Sequence, residues 1–220
     1  MRRFLVVTSS LVLAAAAAAV RPSTSTGAEP AAQAVSGTFR LLRGADTIAT
    51  ERFTRSAGTL RAELSARGRG LTYVVALNPD ATVSRIDLTM NAAAGAPPQR
   101  SSALFGGDSV VAQVTRGDST QSEVLQTLPG AIPFLNPSPS LMEQVVRRAR
   151  VIGGDSASVP VLISGTGRTE NVTVRFVGAD SAAFALSGIE IRMRVDRAGG
   201  VLGGIIPAQN VTILRTSGRR

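Results

Sequence analysis

Polar and apolar residues alternate over short stretches through most of this chain. In GTLRAELS, Leu60, Ala62 and Leu64 alternate with Arg61 and Glu63, and in SRIDLTM, Ile86, Leu88 and Met90 alternate with Arg85, Asp87 and Thr89. ENVTVRF sets Val172, Val174 and Phe176 against Asn171, Thr173 and Arg175. IEIRMRVD sets Ile189, Ile191, Met193 and Val195 against Glu190, Arg192, Arg194 and Asp196. A period of two turns successive side chains to opposite faces of a strand, one buried and one wet, as in antiparallel sheet. Runs of this kind bounded by turn residues number about eleven to thirteen, at the spacing of an all-β domain.

One segment follows the helical period instead. In SPSLMEQVVRRARVIGG, Leu141, Val145, Ala149 and Ile152 fall on one face, with Met142 and Val146 beside them. Ser140 and Glu143 have the spacing of a capping box, Arg147, Arg148 and Arg150 suit the negative end of the helix dipole, and Gly153 suits the stop. The expectation is one amphipathic helix over 140–152, lying against sheet. Before it, LPGAIPFLNPSPS carries Pro129, Pro133, Pro137 and Pro139, which predicts an extended crossing over 128–139. The resulting organisation is a meander over 36–127, the crossing, the helix, a second strand set over 157–215 and a frayed tail at 216–220, all within one β-rich domain spanning 35–215.

The turns share one piece of punctuation. RGADT (43–47), FGGDS (105–109), RGDST (116–120), IGGDS (152–156) and VGADS (177–181) each combine glycine with aspartate. Glycine supplies positive φ, and aspartate bonds nearby amides, so these are turn sequences. RGDS within 116–119 is therefore read as a hairpin corner and not as an adhesion signal, and GGDS not as a hydrolase motif. Asp80 in NPDAT and Asp196 in DRAGG lie in two further turn-like sequences, leaving Asp87 mid-strand.

The first twenty residues, MRRFLVVTSSLVLAAAAAAV, put two arginines before an uncharged run from Phe4 to Val20. That order fits an export signal over 1–34, cleaved after Ala34 in AQA, with Ala28 in TGA as the alternative. An uncleaved N-terminal anchor is the competing reading. The expected location is the periplasm or the medium, with no stable transmembrane span after cleavage. No cysteine is present, so neither a disulfide nor a lipid-bearing cysteine can form. The net charge is +9, carried entirely by arginine, but the arginines are scattered and aromatic residues are few. Nucleic-acid binding is not expected on that pattern. An anionic envelope surface or anionic lipid headgroups suit the charge better.

The chemistry is sparse. Histidine, cysteine, lysine and tryptophan are all missing, which removes the commonest general base, the thiol nucleophile, the Schiff-base amine and the usual zinc ligands. No catalytic residue, metal ligand or cofactor is assigned. Glu51, Glu63, Asp87, Glu123, Glu170 and Glu190 could pair as acid and base, but most fall on the polar faces of strands beside arginines, where solvated or cross-strand ion pairs are the simpler expectation. Glu190, Arg192, Arg194 and Asp196 form the most charged face. A solvated surface, an anion-recognising face through Arg192 and Arg194, and a protein-partner surface are all open there.

The C-terminal half runs from the Pro-rich segment and helix through VPVLISGTGRTENVTVRF and GIEIRMRVDRAGGVLGGIIP to NVTILR. A strand ending in Val-Asp, a glycine turn and a short strand entering a final one resemble exported bacterial half-barrel proteins. These are the Lol-type lipoprotein-carrier fold and similar uncharacterised periplasmic families. The resemblance covers roughly 36–215 in layout and implies a strongly curved antiparallel sheet, half-barrel-like, with the helix across its concave side. It also implies an apolar cavity for acyl chains in some members. The expected fold is thus mainly β, a single curved sheet of about eleven to thirteen strands with one packed helix. The expected function is non-catalytic binding of an apolar or amphipathic ligand in the concave face, with Leu141, Val145 and Ala149 as candidate lining. The alternative is a structural module that binds another envelope protein and has a filled core.

Overall fold

The computed structural model describes residues 34–91 and 97–217. Apart from Ala34, the expected export segment lies outside the described residues, as do residues 218–220 of the expected tail. Among the described residues, fifteen strands build one sheet. The first eight are β1 (Val35–Arg43), β2 (Asp46–Arg55), β3 (Thr59–Ala66), β4 (Arg69–Leu77), β5 (Val83–Met90), β6 (Gln99–Gly106), β7 (Ser109–Arg116) and β8 (Ser119–Gln126). Then come β9 (Ile132–Phe134), helix α1 (Pro139–Ile152), β10 (Ser156–Ile163), β11 (Arg168–Val177), β12 (Ser181–Leu186), β13 (Ile189–Val195), β14 (Val201–Ile206) and β15 (Val211–Ser217).

The strand order is β8-β7-β6-β5-β4-β3-β2-β1-β15-β14-β13-β12-β11-β10-β9, so the first and last strands pair in the middle of the sheet. Each half is a meander of hairpins, and every pairing is antiparallel except β9 on β10. The sheet is long, curved and open. Leu60 and Tyr73 from one half share a core with Val172, Phe184 and Ile191 from the other, with α1 inside the curve. Side chains draw the two edge regions together without a strand pairing. Val110, Ala131 and Leu162 form a small cluster with Leu125 against it, and the Thr127 and Thr169 hydroxyls lie 2.7 Å apart.

Period-two alternation survives in the burial. Leu60, Ala62 and Leu64 are buried while Arg61 and Glu63 are exposed, and Val172, Val174 and Phe176 are buried between exposed neighbours. The five glycine–aspartate sequences are all corners, with Gly44, Gly107, Gly117, Gly154 and Gly178 at positive φ. They join β1 to β2, β6 to β7, β7 to β8, α1 to β10 and β11 to β12. Because the strands alternate in direction, these corners are divided between the two ends of the sheet.

Three expectations need correction. The described strands number fifteen, not eleven to thirteen, because β9 is three residues long inside the Pro-rich crossing and β8 is exposed except at the half-buried Leu125 and shows no alternation. The last strand runs to Ser217, into the segment expected to be a tail. The helix begins at Pro139, with Ser138 as its cap: the Ser138 hydroxyl accepts from Leu141 N–H at 3.2 Å. The Ser140–Glu143 capping box does not form, because Glu143 is turned into the core, where its carboxylate meets three arginines.

Candidate functional site

Two kinds of interior are found under the helix, one filled and one hollow. In the filled part, Leu141, Val145, Val146 and Ala149 have no exposed surface, and α1 packs against β2, β9, β10, β11 and β14. The three candidate lining residues Leu141, Val145 and Ala149 therefore belong to packed core. They do not line the cavity described below, to which the helix contributes Met142.

The hollow follows from lengths. A helix of fourteen residues is about 21 Å long, whereas strands of eight to ten residues span about 26–34 Å. At the end where the helix starts, the apolar inner faces continue beyond it. A cavity of about 540 Å³ remains there, between Leu64, Leu71 and Leu88 on one wall and Leu186, Ile189 and Ile191 on the other. Leu64 and Leu71 are cross-strand partners, as are Leu186 and Ile189, so each wall is a continuous apolar row. Asn136, Ser164 and Gln209 stand among the polar groups of its lining. Asn136 and Gln209 also line an adjoining groove of about 920 Å³ that has a more polar wall, including Arg43, Ser65 and Arg67. The apolar chamber thus lies beside a more polar groove.

A buried polar network fastens the helix beside the chamber. On β2, Ala49, Glu51, Phe53 and Arg55 all point inward, so two charged residues take core positions. Glu51 has no exposed surface. Its carboxylate accepts from Ser138 Oγ at 2.8 Å, from Ser140 N–H at 2.8 Å and from the Tyr73 hydroxyl. Burial raises the Glu51 carboxyl above its usual range, with these hydrogen bonds acting against it, and burial together with the Glu51 charge raises the Tyr73 hydroxyl well above its own. Further along, Glu143 receives Arg55 at 3.1 Å, Arg147 at 2.9 Å, Arg215 at 3.5 Å and Val201 N–H at 2.8 Å. The Arg215 guanidinium also sits 5.0 Å from the Phe53 ring.

Glu51, Tyr73, Ser138 and Ser140 combine residue types seen in catalysis, but none is more than 1% exposed and none lines the chamber. They anchor the helix. The carboxylates were expected mostly on polar faces, and Glu51 instead takes a core position. The signal was present in the phase of ATERFTR, where Ala49 and Phe53 fix the inner face and carry Glu51 and Arg55 with them.

The remaining candidates do not converge. Asp87 pairs with Arg85 at 2.7 Å, Glu170 accepts from Ser187, and Glu63 and Glu123 are exposed. Arg192 and Arg194 lie on the exposed face of β13. Arg192 bonds Glu190 at 2.7 Å, which lowers the Glu190 carboxyl and raises the guanidinium. Asp196 instead closes the turn after β13 by accepting from Ala198 and Gly200 N–H. Among the described residues no group of three or more acidic side chains is placed to hold a metal ion, and no helix is long and apolar enough to cross a membrane.

No family model matches the sequence, and no curated protein matches it. Among solved structures, the chain is similar to a DUF1089 family protein from Pseudomonas aeruginosa, at 17% identity and a TM-score of 0.56. The match covers 73% of this chain and 91% of that one, and at such low identity the likeness is one of fold.

Proposed function

We propose that this chain is a non-catalytic binding protein of the bacterial cell envelope that takes up an amphipathic, lipid-like molecule. The apolar part lies in the chamber between Leu64, Leu71 and Leu88 and the opposite wall, and the polar part lies in the groove beyond Asn136 and Gln209. The chamber carries the proposal. Its volume falls in the range of about 300–1,000 Å³ typical of small-molecule sites, and its wall is mainly apolar. The export-type N-terminal sequence and the missing histidine, cysteine and lysine support the same reading.

The test is native mass spectrometry of the full chain purified from its own envelope, followed by titration with a fluorescent fatty acid. A co-purifying acyl species, or saturable one-site binding of the probe, is the expected result. Protein that is always empty and does not bind the probe would reject the proposal.

One observation favours the alternative, a protein-interaction module. Leu104, Val111 and Val124 are cross-strand neighbours on β6, β7 and β8 and are 54%, 38% and 62% exposed, an apolar row on the outside of the sheet. Capture of a stable partner by this row with the chamber empty would favour it.

A further inference from the structure

The opposite end of the sheet is built differently. There the corner after β2, the corner between β4 and β5, the last turns of α1 and Ala198 line an open hollow of about 360 Å³. Arg55, Arg147 and Arg150 line it, and among the described residues no carboxylate does.

Each guanidinium is held in place. Arg55 is 7% exposed and donates to Gln144 Oε1 and to the Ser140 carbonyl at 3.2 Å. Arg147 donates to Glu143 at 2.9 Å and to the Ala198 carbonyl at 3.3 Å. Arg150 stacks over the Phe176 ring at 3.6 Å and donates to the Ala179 carbonyl at 3.1 Å. The Nε atoms of Arg55 and Arg150 are buried without a hydrogen-bond acceptor among the described residues. Arg55 Nε is within ion-pair range of Glu143, at 3.1 Å, but is out of line for a hydrogen bond.

The charges do not balance. Among the described residues Glu143 is the one carboxylate within ion-pair range of Arg55 or Arg147, and it also serves Arg215, while Arg150 has no ion pair. The C-terminal dipole of α1 offsets about half a charge at most. Partly buried cations left in excess are costly, and a bound anion removes that cost.

We propose that this hollow is an oxyanion site that takes a phosphate-type group, bound by the planar forks of Arg147 and Arg150 in front of the fixed Arg55. The group is either a free phosphate or the phosphate of a lipid headgroup. The site stands apart from the apolar chamber, at the other end of the strands, and does not depend on that chamber being occupied.

The experiment uses the full chain at low ionic strength, where such contacts are least screened. Inorganic phosphate is titrated calorimetrically, and phosphatidylglycerol vesicles are co-sedimented beside phosphatidylcholine vesicles. Binding is expected to weaken about tenfold in Arg150→Gln and in Arg147→Gln, to fall less in Arg150→Lys, and to stay unchanged in Arg192→Gln on the outer face. Phosphate should also raise the melting temperature of the wild type, a readout that needs no variant. Binding of phosphate itself assigns a soluble ligand, and binding of phosphatidylglycerol vesicles alone, with the same dependence on Arg150, assigns a headgroup. The proposal is overturned if neither probe binds the wild type, or if Arg192→Gln weakens binding as much as Arg150→Gln does.

Discussion

The backbone N–H of Ser140 meets Oε2 of Glu51 at 2.8 Å, although 89 residues separate the two in the chain. An acid on the second strand thus supplies the acceptor that the first turn of the helix needs, and the Ser138 and Tyr73 hydroxyls share the same carboxylate. Glu51→Ala would leave the buried Ser140 N–H unpaired and take an acceptor from the Ser138 and Tyr73 hydroxyls, which lie 2.7 Å apart and can turn to each other, so the loss should be about 1–3 kcal/mol. Urea unfolding followed by far-ultraviolet circular dichroism measures it. A loss under about 1 kcal/mol would mean that water or a local shift satisfies these donors.

Glu51 should also give the fold a pH dependence. Burial raises its carboxyl in the folded state, so the folded chain binds that proton more tightly than the unfolded chain. The resulting stability is complete below the ordinary glutamate pKa and is lost as pH rises through the raised value. Asp80 works in the opposite direction, because hydrogen bonds from Thr82 lower its carboxyl and its contribution is lost as pH falls. Asp80 is common to the wild type and Glu51→Gln, so the difference between their unfolding free energies isolates Glu51. That difference should decline with rising pH, and an increase would mean that the carboxylate is held ionised.

Glu143 forms ion pairs with Arg55, Arg147 and Arg215 together, and it also accepts from Val201 N–H. Glu143→Gln keeps the shape but removes the charge that all three guanidiniums share. Breaking a buried pair from one side costs about 3–5 kcal/mol, and a loss of that size is expected here. Replacing Glu143 and Arg55 together by glutamine and methionine should recover part of it, since one orphaned cation leaves with the acid. A double-mutant cycle measures the coupling, and additive losses would show that the two side chains act independently.

The sheet and helix were legible in the sequence because alternation and amphipathicity are local. GTLRAELS and ENVTVRF show the burial that their period implies, and RGDS is the hairpin corner that its glycine and aspartate suggest. What escaped was long-range. The inward turn of Glu51 is encoded in the phase of β2 but was not expected, and its reason, the helix start 89 residues later, lies beyond any local pattern. Glu143 has capping-box spacing to Ser140, yet the cap is Ser138, because the amide of Ser140 is already taken by Glu51. The chamber depends on how far the sheet curves and how much of it the helix covers, and no residue pattern encodes either. Helical periodicity therefore pointed to Leu141, Val145 and Ala149, which fill the core, and passed over the leucines of β3, β4 and β5 that face open space.

That contrast between filled and open positions gives the last prediction. Leu88 borders the chamber, so the larger side chain of Leu88→Trp has empty volume to enter and should shift the urea midpoint little. The same substitution at Val145, which has no exposed surface, forces overpacking, with an expected loss of about 1–3 kcal/mol. If an amphipathic molecule occupies the chamber, Leu88→Trp should also weaken fatty-acid binding about tenfold or more, because it removes the space and not the fold. The decisive outcome is the pair of measurements on one protein. Stability kept with binding lost locates the ligand in the chamber, and stability kept with binding kept places it elsewhere.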